Sequence, residues 1–463
     1  MGKTTWTVKG IIKVKENVTT DKYRVRPLGN VEVKVSGASV GRIFTSWGTT
    51  RTRDDGSFTF TKEKSSSKRD IKVEVCFKDN YLVITKPILN SDWYRIYDKK
   101  DKKSGIINIG TKTFEKSKSG DLGGVENYRI ATAWYACKTV MSRLKSENSW
   151  FAFKKRIKIV YPAALLTKSS YANELTRSAY INPKKFDDGE DVKFLKNVIH
   201  EIMHLWNYDH DTGIILDNVI KSLCDGTTHS SQEKPNIAFL EGFAEYAKGD
   251  LLHVIWGREK IKLLNRRHLS TGNKRELMNL SDVEGSDVGV TNALHVLTTP
   301  KIYTKYFGTI NGNDPPNNTV GTVSIKNAGC PQSPTIGLWD VLKVFRAAPN
   351  NGWKTDWDVG KKSYGMVRFF KRASDILPQF SKEHMDLCLE LIDPSSNVEP
   401  QDYCKNWAKQ KRILDSKEDI AIPTLTNVQS LQKISSTETK GFKRSVSVKN
   451  KKSTETKGFK RSL

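Results

Sequence analysis

The stretch Val198-Ile199-His200-Glu201-Ile202-Met203-His204-Leu205-Trp206 decides how this chain is read. Val192, Leu195, Ile199, Ile202, Met203 and Trp206 recur at helical spacing, so the segment is expected to form an amphipathic helix. Residues four apart on a helix lie one turn above each other and point the same way. His200 and His204 can therefore offer two imidazoles to one metal ion, with Glu201 beside them. Zinc suits such a site because it accepts imidazole and carboxylate in a tetrahedral shell and can leave one position for water. Zinc lowers the pKa of that water to about 7, and an adjacent carboxylate can take its proton. Glu201 is the expected general base. The plain structural alternative is two histidines on a half-buried helix.

Working outward, Pro235-Asn236-Ile237-Ala238-Phe239-Leu240-Glu241-Gly242-Phe243-Ala244-Glu245-Tyr246 reads as a second helix, with Pro235 and Asn236 as entry signals. Glu241 and Glu245 share one face among otherwise apolar residues. Buried carboxylates are costly unless paired or bound to a cation. Glu241 as a third zinc ligand answers that cost, and Glu245 one turn on is placed to hydrogen-bond a ligating histidine.

His200-Glu201-x-x-His204-x-Trp206 followed by Glu241-Gly242-Phe243-Ala244 resembles the gluzincins, HExxH metallopeptidases whose third ligand is a glutamate on a later helix. The wording is closest to the aminopeptidase and thermolysin-like branches. The resemblance implies His200, His204 and Glu241 as zinc ligands, Glu201 as base, and a peptide or protein as substrate. It is tight over the two helices and loose over residues 121–395. Leu240 stands where asparagine usually precedes the glutamate, and the gap between the helices is longer than in thermolysin-like enzymes. The Gly-x-Met-Glu-Asn motif that reads a substrate's amino terminus in the aminopeptidases is absent, which favours an endopeptidase. A rival ligand is His210, ten residues after His200, the spacing at which metzincins place a third histidine. That reading leaves two glutamates on an apolar helix unexplained and lacks a convincing Met-turn, Met278 being the nearest candidate.

Before these helices, residues 5–115 read as all-β. Trp6–Val14 and Val31–Val35 alternate, Asp54-Asp55-Gly56 turns the chain into Ser57–Phe60, and Ile71–Phe77 is a further strand. Ile106–Thr111 is the expected last strand, after a charged loop at Lys99–Lys103. Short strands with such turn signals indicate a sandwich. Pro27-Leu28-Gly29-Asn30-Val31-x-Val33 and Thr52-x-Asp54-Asp55-Gly56-x-Phe58 resemble the carboxypeptidase regulatory-like, or transthyretin-like, β-sandwich, a module that accompanies enzymes rather than catalysing.

Residues 126–146 switch to helical period, with Ile130, Trp134, Cys137, Met141 and Leu144 on one face. Arg156–Tyr161 and Ser178–Asn182 are expected strands, and the second is the candidate edge that holds substrate by strand addition, as the gluzincin resemblance implies. Residues 207–235 form an insertion with an apolar stretch, Ile214–Ile220, that can roof the cleft; His229 within it is assigned to the surface. Arg258–Arg267 reads as a basic helix and Asn311–Asn318 as a loop. His295, Tyr303 and Tyr306 are candidates for stabilising an oxyanion, with core or surface roles as the alternative. Helices at Ile336–Phe345 and Ser363–Leu377 complete an α-rich lower lobe.

The expected fold is thus multidomain: an all-β sandwich at 5–115, an α+β zincin-like metallopeptidase domain at 121–395, and at 396–463 weak helix followed by a disordered basic tail. That tail repeats Ser436–Ser445 as Ser453–Ser462.

The chain has 463 residues, 37% hydrophobic, which suffices for two globular domains. No run of about 18 apolar residues exists to span a membrane. The amino-terminal residues lack a signal peptide's apolar core. Compartment and oligomeric state are not legible. Six cysteines are spread out with no Cys-x-x-Cys pair, which disfavours a structural zinc site. Cys388 and Cys404 are the pair nearest in sequence, and free buried thiols are the alternative to a disulfide. The formal charge of +26 favours acidic partners, an acidic polymer or anionic surface met through the basic tail, against a plainly solvated lysine-rich surface. A catalytically inactive, metal-retaining binding protein is accordingly the functional rival to a peptidase.

Overall fold

Strand β1 (Lys3–Glu16) buries every second side chain, from Trp6 through Val8, Ile12 and Val14, as its alternation predicts. In this computed structural model the described residues are 2–20, 22–38, 43–65, 68–87, 92–163, 170–173, 176–183, 189–210, 235–258, 287–300, 333–346 and 366–391. β1 pairs antiparallel with β5 (Ser57–Ser65) and, at its end, with β2 (Arg24–Pro27). It also pairs in parallel with β9 (Gly105–Phe114). A second sheet has the order β4-β3-β6-β8, from β3 (Glu32–Ala38), β4 (Thr45–Arg51), β6 (Arg69–Cys76) and β8 (Tyr94–Lys102). The buried faces of the two sheets meet in aromatic contacts, Trp6 edge-on to Trp47 at 5.4 Å and Tyr94 to Phe114 at 6.2 Å. Gly56 makes the expected turn at φ +80°, where a side chain would also collide with the Ile12 carbonyl.

Two expectations are corrected here. Lys99–Lys103 was expected as a loop, but β8 runs on to Lys102, which pairs with Arg69. Its charges lie on an outer strand, where lysines are tolerated and discourage further pairing. The second correction concerns β7 (Leu82–Thr85), buried throughout, which lies within the segment read as sandwich. It leaves the two sheets and pairs in parallel with β10 (Ile157–Val160).

β10 also pairs in parallel with β12 (Ser178–Tyr180), which pairs antiparallel with β11 (Tyr171–Asn173), giving the order β11-β12-β10-β7. Ser178–Tyr180 is therefore flanked on both sides and is not an edge; β11 is the outer strand among the described residues. Tyr171, on β11, stacks on Tyr180 at 4.9 Å.

Helix α1 (Gly124–Glu147) buries Ile130, Trp134, Cys137, Met141 and Leu144, the face its period picks out. Trp134 packs against Phe77 at 5.9 Å and donates its indole N–H to the Gly29 carbonyl at 3.0 Å. The core therefore runs unbroken from the strands into the helices, and Met1–Ala408 form one compact unit, with no break in packing at 115–121.

The remaining helices are α2 (Asp191–His210), α3 (Pro235–Trp256), α4 (Asp287–Thr298), α5 (Leu338–Arg346), α6 (Met366–Ile376) and α7 (Lys382–Leu391). The architecture is mixed α and β, with strands dominating the first part and helices the second. Cys76, Cys137 and Cys388 are buried free thiols, and burial pushes the first two up to about 12. No helix among the described residues is long and apolar enough to cross a membrane. The insertion at Ile214–Ile220 with His229, most of the basic helix Arg258–Arg267, Met278, Tyr303, Tyr306, Asn311–Asn318, Cys404 and the repeated tail lie outside the described residues.

Candidate metal centre

Helix α2 supplies the histidines. Its apolar face buries Leu195, Val198, Ile199, Ile202, Met203 and Trp206, which leaves His200 and His204 on the adjoining face. Both ends are held by ion pairs. At the start, Asp191 accepts from Arg129 Nε at 2.9 Å and Lys116 Nζ at 3.1 Å, a carboxylate well placed at a helix N-terminus. At the end, Asp209 is gripped by both terminal nitrogens of Arg177, at 2.5 and 2.9 Å. α3 packs beside α2, Trp206 meeting Phe243 at 6.0 Å, and Glu241 on α3 faces the histidines.

Three donor atoms converge. His200 Nε2 lies 3.1 Å from His204 Nε2 and 3.2 Å from Glu241 Oε2, and His204 Nε2 lies 3.4 Å from the same oxygen. Among the described residues this is the one group of three or more potential ligands close enough to hold a metal ion. The side chains are mostly but not wholly covered, at 14% exposure for His200, 10% for His204 and 24% for Glu241, so the cluster opens to solvent.

The arrangement fits a metal on two grounds. Tetrahedral zinc with ligand bonds of about 2.0–2.2 Å requires donors roughly 3.3–3.6 Å apart, close to the triangle present. Glu201, Glu241 and Glu245 bring three negative charges and Lys248 one positive, a net of −2 with neutral imidazoles. That is complementary to a divalent cation, in a chain whose formal charge is +26.

The same field shows in the proton equilibria. Burial alone would lower the His200 pKa, but contacts to Glu241 and Glu245 and the charge of Glu201 raise it to about 10. His204 is also raised, Glu241 overcoming burial. Glu241 is held well below the usual carboxylate range by the two histidines, despite its burial.

Glu245 stands one turn beyond Glu241. Its Oε2 is 3.4 Å from His200 Nδ1, an ion-pair distance long for a hydrogen bond, and 2.5 Å from Lys248 Nζ. Burial would raise its pKa, but His200 and Lys248 lower it. Lys248 is nine-tenths buried and escaped the sequence reading. The only signal for it was a lysine three residues after a glutamate on a helix, a pairing usually found on surfaces.

His210 lies apart from the cluster. Its Nδ1 is 2.8 Å from the Trp206 carbonyl and its Nε2 2.8 Å from the Trp150 carbonyl, with its ring stacked on Trp206. Both nitrogens are thus engaged by carbonyl oxygens rather than aimed at a metal. Burial keeps its pKa below the ordinary value, against the pull of those carbonyls. His295 is also elsewhere: fully buried between α3 and α4, 3.7 Å from Asp250 and edge-on to Tyr246 at 5.0 Å.

No family model matches this chain, and no curated protein matches it. Among solved structures, a 9R-lipoxygenase from Cyanothece PCC8801 aligns with 64% of this chain and 53% of its own length, at 10% identity and a TM-score of 0.17. The match spans about half of that lipoxygenase, and likeness at this level carries no argument about fold or chemistry.

Proposed function

We propose that the chain is a zinc-dependent metallopeptidase of gluzincin type, cutting within peptide chains, with residues 121–395 as its α+β zincin-like part. The observation that carries this reading is the triangle of His200, His204 and Glu241 donors with Glu201 next to it on α2. Zinc held there supplies Lewis acidity, acidifying water to a pKa of about 7 and polarising a carbonyl. Glu201 takes the proton from the attacking water and later returns it to the leaving amine. Glu245 stands 3.4 Å from Nδ1 of His200, where its charge favours a proton on that nitrogen, and Nε2 would then face the cation. An extended substrate would add its backbone to β11, since β12 is already flanked by neighbours.

The test is the metal content of purified wild type beside Glu241→Ala and Glu201→Gln, paired with cleavage of a mixed peptide library. The reading expects one zinc per chain and internal cleavages in wild type, metal lost with Glu241→Ala, and metal kept without cleavage in Glu201→Gln. Undiminished cleavage by Glu201→Gln would sink the mechanism, and zinc without turnover in wild type would turn the reading to an inactive binding protein.

A further inference from the structure

The outer faces of the first two sheets differ in how their charges are paired. On the sheet built from β4, β3, β6 and β8 several charges are paired, between strands or within one, and further lysines lie at the end of the outer strand β8. Lys34 and Lys72 lie 3.0 and 3.3 Å from Glu74, Arg51 lies 3.7 Å from Glu32, and Arg95 lies 3.1 Å from Asp98. Its aromatic groups are also covered, Lys34 sitting over Trp93 and Lys72 over Phe44.

The face centred on β1 is unlike it. Strand alternation sends Lys3, Lys9, Lys13 and Lys15 outward together, because Trp6, Val8, Ile12 and Val14 point into the core. Lys15 pairs with Glu115 at 2.6 Å, whereas Lys3, Lys9 and Lys13 form no ion pair among the described residues. Apolar groups emerge on the same side. Ile106 stands beside Thr7 in register and is 71% exposed, and Val25 stands opposite Lys15 and is 53% exposed. Tyr23, 63% exposed, lies under the Lys15 ammonium. Three of the seven large apolar side chains exposed among the described residues therefore lie on this one lysine-bearing face, Ile106 toward one end and Val25 and Tyr23 at the other. From Thr7 to Lys15 the face is about 26 Å long at roughly 3.3 Å per residue.

We propose that this face of the β1 sheet seats the protein on an anionic lipid surface. Unpaired lysines meet the headgroup charge, while Ile106, Val25 and Tyr23 enter the boundary between headgroups and acyl chains. The apolar groups favour a lipid over a nucleic acid, whose backbone offers phosphates but no apolar layer for exposed isoleucine and valine. The chain's net charge of +26 adds long-range attraction to the same partner. This inference is independent of the metal centre.

The experiment is sedimentation of the full chain with phosphatidylcholine vesicles, with and without phosphatidylserine, over a salt series. Wild type is expected to bind the phosphatidylserine vesicles, to release as salt rises, and to leave pure phosphatidylcholine in solution. Lys9→Glu/Lys13→Glu should weaken binding roughly tenfold or more. Val25→Asp/Ile106→Asp should release at a lower salt concentration than wild type. Lys145→Glu/Lys155→Glu, the same charge change on exposed lysines elsewhere, should lose clearly less. If the Lys9/Lys13 variant bound as wild type does, binding would belong to another basic segment and the proposal would fall. Preferential binding of duplex DNA, lost in the same variant, would also overturn it.

Discussion

Glu245 turns a single oxygen toward two groups, Lys248 Nζ at 2.5 Å and His200 Nδ1 at an ion-pair distance of 3.4 Å. Without Lys248 the cluster loses a nine-tenths buried positive charge, and Glu245 keeps only His200, 3.4 Å away, as a charged neighbour. Removing one partner of such a pair leaves the other charge uncompensated. Lys248→Met should therefore destabilise the metal-free protein by about 2 kcal/mol, while Lys248→Arg keeps most of the stability. Saturating zinc should narrow the difference, and equal urea midpoints for metal-free wild type and Lys248→Met would contradict this account. A second expectation concerns the proton on His200. Its pKa is raised from 6.5 to about 10, so in the metal-free chain its contribution to stability is complete below 6.5 and fades as pH climbs through 10. Zinc uptake at mildly alkaline pH must expel that proton. An indicator dye in weak buffer should record its release, and uptake without release would show that His200 is neutral beforehand.

Helix α2 is an element held at both ends by residues distant in sequence. Arg129 and Lys116 grip Asp191, and Arg177 grips Asp209, whose side chain is 4% exposed. Arg177 also reaches the Lys155 and Arg156 carbonyls, tying the approach to β12 onto the end of α2. Arg177→Ala should cost about 3 kcal/mol in urea unfolding, because it leaves Asp209 buried without its counter-charge, with the Lys154 backbone N–H still donating to it at 2.9 Å. A loss below a few tenths would mean that Asp209 finds another partner. The helices α1, α2 and α3 were legible because a repeat of 3.6 residues is a local property of the chain. The clamps were not, since nothing local distinguishes Arg177 or Arg129 from a surface arginine. The strands β2, β4, β7, β8 and β11 also lay outside the sequence expectations, and two of them show why. β7 is a short apolar run without alternation, and the charged end of β8 reads as a loop.

At the scale of the whole molecule, β7 pairing with β10 and Trp134 packing on Phe77 join the strands and the helices through one core. Calorimetry of the metal-loaded chain should then show the strands and helices melting in one cooperative transition; separate melting of the β-rich part would argue that the two halves hold their own cores. On the proposed zinc reading, chelation should lower the melting temperature, since a ligand at roughly a thousandfold above its Kd stabilises by about 4 kcal/mol. A melting temperature unmoved by chelator would count against a resident metal. The sequence by itself determined what depends on near neighbours: the His200 and His204 pair, the Glu241 and Glu245 pair, the buried face of α1, and the alternation of β1. The tertiary structure alone decided what depends on distant segments meeting. It set Glu241 rather than His210 beside the histidines, made Lys248 a partner of Glu245, enclosed β12 between β10 and β11, and placed Val25 and Ile106 on the lysine-bearing face of β1. The physical reason is that periodicity reports which way a side chain points from its own element, whereas packing decides what it points at.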